Sequence, residues 1–245
     1  MTDQLCPTPG AKVLYLIRRK ATTSREELIA HWYANHMPPV IQRQKEAAVR
    51  GAPFARRYWV SLFDAGPADQ FGWDGVAQLW MDEAPAEPEV LHGVVPADSF
   101  QERAEPYQPW PTTEYVVVDG TEHLSSAPLT LNAPYPSTRS GFFKVSFLVQ
   151  AKPDIDYEAF FTHWLDVHVP NVRETLLAAG GFGYVVSQSI TPSKTRYAGL
   201  AELYFHNAAG WTTYRATIKE DGMARWIDRE GMPVLTGTTE MIGLP

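Results

Sequence analysis

His31-Trp32-Tyr33-Ala34-Asn35-His36-Met37-Pro38 is written twice in this chain. His163-Trp164-Leu165-Asp166-Val167-His168-Val169-Pro170 repeats its H-W-x-x-x-H-x-P pattern. The offset is 168 − 36 = 132 residues, and the same offset lays Ser24 on Asp156, Leu28 on Phe160 and residues 13–17 on 145–149 without a gap. Self-similarity at one fixed offset, carried through strand-like and helix-like segments alike, marks a duplicated unit. The 245 residues thus divide into a first unit at 12–119, a linker at 120–141 and a second unit at 142–245. Each unit is of ordinary domain size.

Composition narrows the partners. Hydrophobic residues make up 44% of the chain and aromatics 12%, enough for a packed core. A net charge of −7 argues against a nucleic-acid partner. The single cysteine, Cys6, excludes an internal disulfide and any four-thiolate metal site. No stretch approaches the roughly 18 apolar residues of a membrane span. The N-terminal residues lack the basic-then-apolar pattern of a signal peptide. The expectation is a cytoplasmic protein with no membrane partner.

The elements follow in the same order in both copies. Residues 13–19 read as a strand, and Ser24 with Glu27 fits a capping box that opens a helix, with Asp156 as cap in the second copy. That helix is expected to end near Met37, because Pro38 and Pro39 remove backbone donors, with a turn or two over 42–50. Strands are read at 57–63, 75–81 and 113–119, with a Gly/Pro/Asp loop at 65–73 and short helix in parts of 83–105. The second copy gives strands at 142–151, 182–190, 198–206 and 238–242, and helices at 157–179 and 207–219. The order β-α-β-β-α-β is the ferredoxin-like plan, an α+β fold.

These residues resemble a known family. Trp32…His36-Met37-Pro38 with Asp74-Gly75-Val76-Ala77-Gln78-Leu79-Trp80, and Trp164…His168-Val169-Pro170 with Gly199-Leu200-Ala201-Glu202-Leu203-Tyr204, look like the EthD-type branch of the dimeric α/β-barrel superfamily. The resemblance implies two ferredoxin-like units whose sheets pack as an intrachain barrel. It also implies kinship with proteins of ether degradation and of dehydration steps in polyketide pathways. The wider superfamily includes isomerases, cofactor-free oxygenases and some haem enzymes, so fold leaves the chemistry open.

The candidate chemistry lies in the repeated histidines. His36 shares the apolar helix stripe with Trp32, Ile29 and Leu28, and His168 does so with Trp164, Phe161 and Phe160, so each is expected to face the interior. His31 and His163 lie five residues earlier, roughly 140° away around the helix, which fails the i, i+4 spacing of a two-histidine metal pair. No metal and no cofactor are expected. An inward imidazole at a helix end has opposing pulls on its pKa, from burial and from the helix terminus, which suits proton transfer. The bland alternative is a satisfied core histidine.

Glu202 stands in the later strand of the second copy where the first has Gln78, and a carboxylate amid apolar residues needs a partner. His168 is the expected partner, so His168, Glu202 and His36 are the catalytic candidates. Tyr184 and Tyr204 are candidate oxyanion donors, with Gln78, Tyr58, Trp32 and Trp164 as further substrate contacts, the tryptophans chiefly as packing. Asp166 is read as a surface residue. The resulting expectation is a cofactor-independent lyase or isomerase acting on a small, mostly apolar aromatic or polyketide-like molecule. The alternatives are a non-catalytic small-molecule-binding protein and a haem-dependent enzyme. Pairing of two chains into a homodimer is left open.

Overall fold

The computed structural model describes residues 5–64, 72–124 and 135–245. Most of the expected 65–73 loop, the middle of the expected linker and the first four residues lie outside the described residues. In chain order the elements are β1 (Ala11–Ile17), α1 (Arg25–His31), α2 (Met37–Val49), β2 (Ala55–Leu62), β3 (Gly75–Met81), β4 (Trp110–Val118), β5 (Ser137–Arg139), β6 (Phe143–Val149), α3 (Tyr157–His163), α4 (Val169–Ala178), β7 (Gly181–Ser189), β8 (Gly199–Phe205), α5 (Ala208–Thr217), β9 (Val234–Gly237) and β10 (Thr239–Leu244).

The chain forms two compact units that interleave in sequence. One gathers Pro9–Pro111, residues 135–140 and Thr239–Pro245, the other Thr112–Leu124 and Gly141–Thr238. Within the first the strand order is β5-β10-β2-β3-β1, and within the second β4-β7-β8-β6-β9. The duplication is exact in register. Tyr15 pairs with Ala77 and Val13 with Leu79; Phe147 pairs with Ala201 and Val145 with Leu203.

The helices start as the capping residues require. Ser24 Oγ accepts the Glu27 N–H at 3.1 Å, and Asp156 Oδ1 accepts those of Glu158 and Ala159. The Glu27 side chain does not close the reciprocal box; it accepts from Arg103 Nε at 2.7 Å.

The expected stop near Met37 is corrected. A wide π-type turn at Trp32–His36 leads without a break into α2, with Met37 N–H donating to the Trp32 carbonyl. The prolines occupy the first positions of α2, where a backbone donor is dispensable. The second copy repeats the wide turn at Trp164–His168, with Val169 N–H donating to Trp164.

Two other expectations fail. No helix forms in 83–105; the prolines there leave an irregular segment held by an Asx turn, in which Asp98 Oδ1 accepts the N–H groups of Phe100 (3.1 Å) and Gln101 (2.9 Å). The final segment is two strands rather than one. β9 pairs with β6, whereas β10 pairs with β2 and with β5, a strand the sequence reading left inside the linker.

Each unit packs its helices on one sheet face. Leu28, Trp32, Met37 and Ile41 are buried with Ile17, Val60 and Phe100 in one core; Phe160, Trp164, Val172 and Leu176 are buried with Val145, Val186 and Phe205 in the other. Glycine seats each tryptophan. A Cβ on Gly75 would stand 2.7 Å from the Ser61 carbonyl and 3.1 Å from the Trp32 ring; on Gly199 it would stand 2.5 Å from the Ser187 carbonyl and 2.8 Å from the Trp164 ring.

Candidate active site

Between helix and sheet each unit holds a cavity, and the same register positions wall both. Tyr15 and Phe147, Trp32 and Trp164, Tyr58 and Tyr184, Ala77 and Ala201, and Leu79 and Leu203 are the matching pairs. The cavity of the second copy measures about 330 Å³ and that of the first about 210 Å³. His168 lines the larger and His36 the smaller, so both imidazoles take the inward position that the helix periodicity predicts.

Each imidazole is held by an aspartate from a distant turn. His168 Nδ1 lies 2.7 Å from Asp221 Oδ2, and His36 Nδ1 lies 2.7 Å from Asp98 Oδ2. Asp221 is itself fixed: its Oδ2 also accepts from Asn171 Nδ2 at 2.7 Å, and its Oδ1 accepts the Met223 N–H at 3.0 Å. Asn171 anchors to the Lys219 carbonyl as well. Pro39 occupies the matching position of the first copy, so that amide has no counterpart there.

The electrostatics follow from burial and these bonds. Burial pulls the His168 imidazole below its ordinary pKa of 6.5 and outweighs the Asp221 hydrogen bond, which pushes the other way. Burial pushes the Asp221 carboxyl up, but the bonds from Asn171 and His168 outweigh it and hold the group below its ordinary value. The dyad is therefore a neutral imidazole beside a carboxylate. With Nδ1–H donating to Asp221, Nε2 keeps its lone pair. Burial raises the Tyr184 and Tyr214 hydroxyls well above their ordinary range, so both stay protonated at the cavity wall.

The expected pairing of His168 with Glu202 does not form. Ala201 and Leu203 line the cavity, and strand alternation turns Glu202 to the opposite face of β8. There its Oε1 meets Lys144 Nζ at 2.6 Å, with both side chains buried. Tyr204 goes to that same face, packed with Phe142 and Phe182 and under Lys144 Nζ at 4.6 Å. Gln78 is the first-copy counterpart: its Nε2 donates to Ser61 Oγ at 3.0 Å, and it too lies off the cavity wall. Of the expected contacts, Tyr184, Trp164, Tyr58 and Trp32 line cavities, and Asp166 is exposed.

Sequence reasoning missed Asp98, Asp221 and His92. The sequence carried little signal for them: Asp98-Ser99-Phe100 and Asp221-Gly222-Met223 share only the aspartate, and their offset of 221 − 98 = 123 falls outside the 132-residue frame.

Residues 152–230 match the EthD domain. Among curated proteins no sequence matches. The fold is similar to that of a putative monooxygenase from Fusobacterium nucleatum, with a TM-score of 0.50 at 7% identity over 94% of this chain and 91% of that one. A heme-binding protein from Thermus thermophilus aligns at a TM-score of 0.46, 10% identity and 98% and 94% coverage. A chlorite dismutase from Candidatus Nitrospira defluvii aligns at 0.47, 9% identity and 94% and 90% coverage. Among the described residues no helix is long and apolar enough to cross a membrane. The segment that carries His168 and Asp221, residues 152–230, is similar to the EthD domain, and both units of the chain have an α+β fold.

Proposed function

We propose that this protein is a lyase or isomerase that needs no cofactor, moving a proton on a small, largely apolar aromatic or polyketide-like molecule in the His168 cavity. The observation that supports it is the 2.7 Å His168–Asp221 hydrogen bond at the edge of an apolar cavity of about 330 Å³. Asp221 holds the tautomer in which Nε2 is the base, and its charge stabilises the imidazolium formed when that nitrogen takes a proton from substrate carbon. The electron pair of the broken C–H bond moves into a neighbouring carbonyl, and the Tyr184 O–H donates to the oxygen that gains charge. The imidazolium then returns its proton, either to a β-hydroxyl that leaves as water or to a second carbon. The first outcome is dehydration and the second is double-bond migration. Glu202 has no part in this scheme; its role as His168 partner passes to Asp221.

Turnover of a panel of aryl β-hydroxyketones and β,γ-unsaturated aryl ketones, followed by ultraviolet absorbance, tests the reading. His168→Ala is expected to lower the rate by about 10²–10⁴-fold, the usual contribution of a positioned acid–base group. Equal rates for wild type and His168→Ala across the panel would overturn it. If the protein took haem, His168 Nε2, with Nδ1 held by Asp221, would be the group to hold its iron, and the haem would supply redox chemistry. A Soret band on haemin titration that His168→Ala abolishes would favour that chemistry instead.

A further inference from the structure

The first-copy cavity shares the framework of the His168 cavity but is furnished for a different guest. Tyr15 replaces Phe147, and the irregular 92–107 segment brings in His92, Gln101 and Tyr107, where the second unit uses Trp211 and Tyr214 of α5. Tyr107 Oη accepts from Gln101 Nε2 at 3.0 Å and so retains its own proton to donate. Asp98 occupies His36 Nδ1, leaving Nε2 as an acceptor. The Asp98 charge is already met by that N–H and by the N–H groups of Phe100 and Gln101.

Arg43 of α2 lines the mouth of this cavity, and its field reaches the buried Tyr58 and Tyr107 hydroxyls. Among the described residues no carboxylate pairs with it; at the other cavity Arg229 pairs with Glu220 at 3.1 Å and Arg215 lies over the Trp211 ring. The smaller cavity thus offers one unmatched cation, one hydroxyl donor and one imidazole acceptor around aromatic walls.

We propose that the cavity lined by His36, His92, Tyr107 and Arg43 is a second ligand site, which takes a hydroxylated aromatic carboxylate. The carboxylate meets Arg43 and the Tyr107 O–H, and the ring lies among Trp32, Phe100 and Tyr15. The ligand hydroxyl donates to His36 Nε2. The volume of about 210 Å³ suits a single substituted ring. This site stands independently of the reading of the His168 cavity.

Calorimetric titration of 4-hydroxybenzoate at neutral pH into wild type, Arg43→Gln and His168→Ala tests it. Arg43 is exposed, so its replacement leaves the fold intact. Saturable binding to wild type is expected, weakened by about tenfold or more in Arg43→Gln, since a charge-assisted hydrogen bond is lost, and unchanged in His168→Ala. Benzoate, lacking the hydroxyl, is expected to bind more weakly. Absence of saturable binding to wild type, an affinity indifferent to Arg43→Gln, or binding abolished by His168→Ala would each overturn the proposal.

Discussion

Asp221→Asn is the most informative single change, because it keeps shape and removes the charge that orients the imidazole. Asp221 accepts three hydrogen bonds, from His168 Nδ1, Asn171 Nδ2 and the Met223 N–H. An asparagine has one acceptor oxygen and an NH₂ group in place of the second. With its oxygen kept toward Met223, the new NH₂ faces both His168 Nδ1 and Asn171 Nδ2. The imidazole then presents a lone pair at Nδ1 and carries its proton on Nε2, so the nitrogen needed as base is blocked.

The hydrogen bond lost is charge-assisted, worth about 1.5–3 kcal/mol. At about 1.4 kcal/mol per factor of ten, kcat/KM is expected to fall by roughly 10- to 150-fold. Asp221 raises the His168 pKa, so its removal also shifts the acidic limb of the pH–rate profile to lower pH. Long-range ¹H–¹⁵N correlation of the imidazole reads the tautomer without any substrate. Wild type is expected to show Nδ1–H and the variant Nε2–H. A wild-type His168 already protonated on Nε2 in its neutral form, or an acidic limb that Asp221→Asn leaves in place, would refute the reasoning.

Stability should also depend on pH in a defined direction. His92 and His168 have lowered pKa values in the fold, so the unfolded chain takes up protons first as pH falls through 6.5, and stability is lost from there downward. Asp98 and Asp221, held below their ordinary value of 3.8, add a further loss in stronger acid, complete only below their folded pKa values. A thermal melting series checks this; a Tm that rises between about pH 7 and pH 5 would contradict it. Lys144→Met leaves the buried Glu202 carboxylate without its 2.6 Å partner and is expected to cost about 3–5 kcal/mol in denaturant unfolding. Lys144→Met with Glu202→Leu should recover most of that loss, and a double variant as unstable as the single one would show that the pair is not what matters.

Much of the architecture was legible along the chain because it rests on local rules. Capping at Ser24 and Asp156, the apolar stripe through Trp32 and Trp164, and the fixed 132-residue offset each involve residues close in sequence or related by simple addition. Those features alone determined that the chain is a duplicated α+β protein with one inward imidazole per copy. The continuation through Pro38 was not legible, since a wide turn just before the prolines relieves the conflict that their missing donors create. Nor was the partner of each imidazole. Asp98 and Asp221 come from loops of unequal length, and alternation along β8 assigns Glu202 to one face or the other only once the packed face is known. Which carboxylate meets His168, and which side chains wall each cavity, were decided by residues brought together from far apart in the chain, and only the tertiary structure performs that selection.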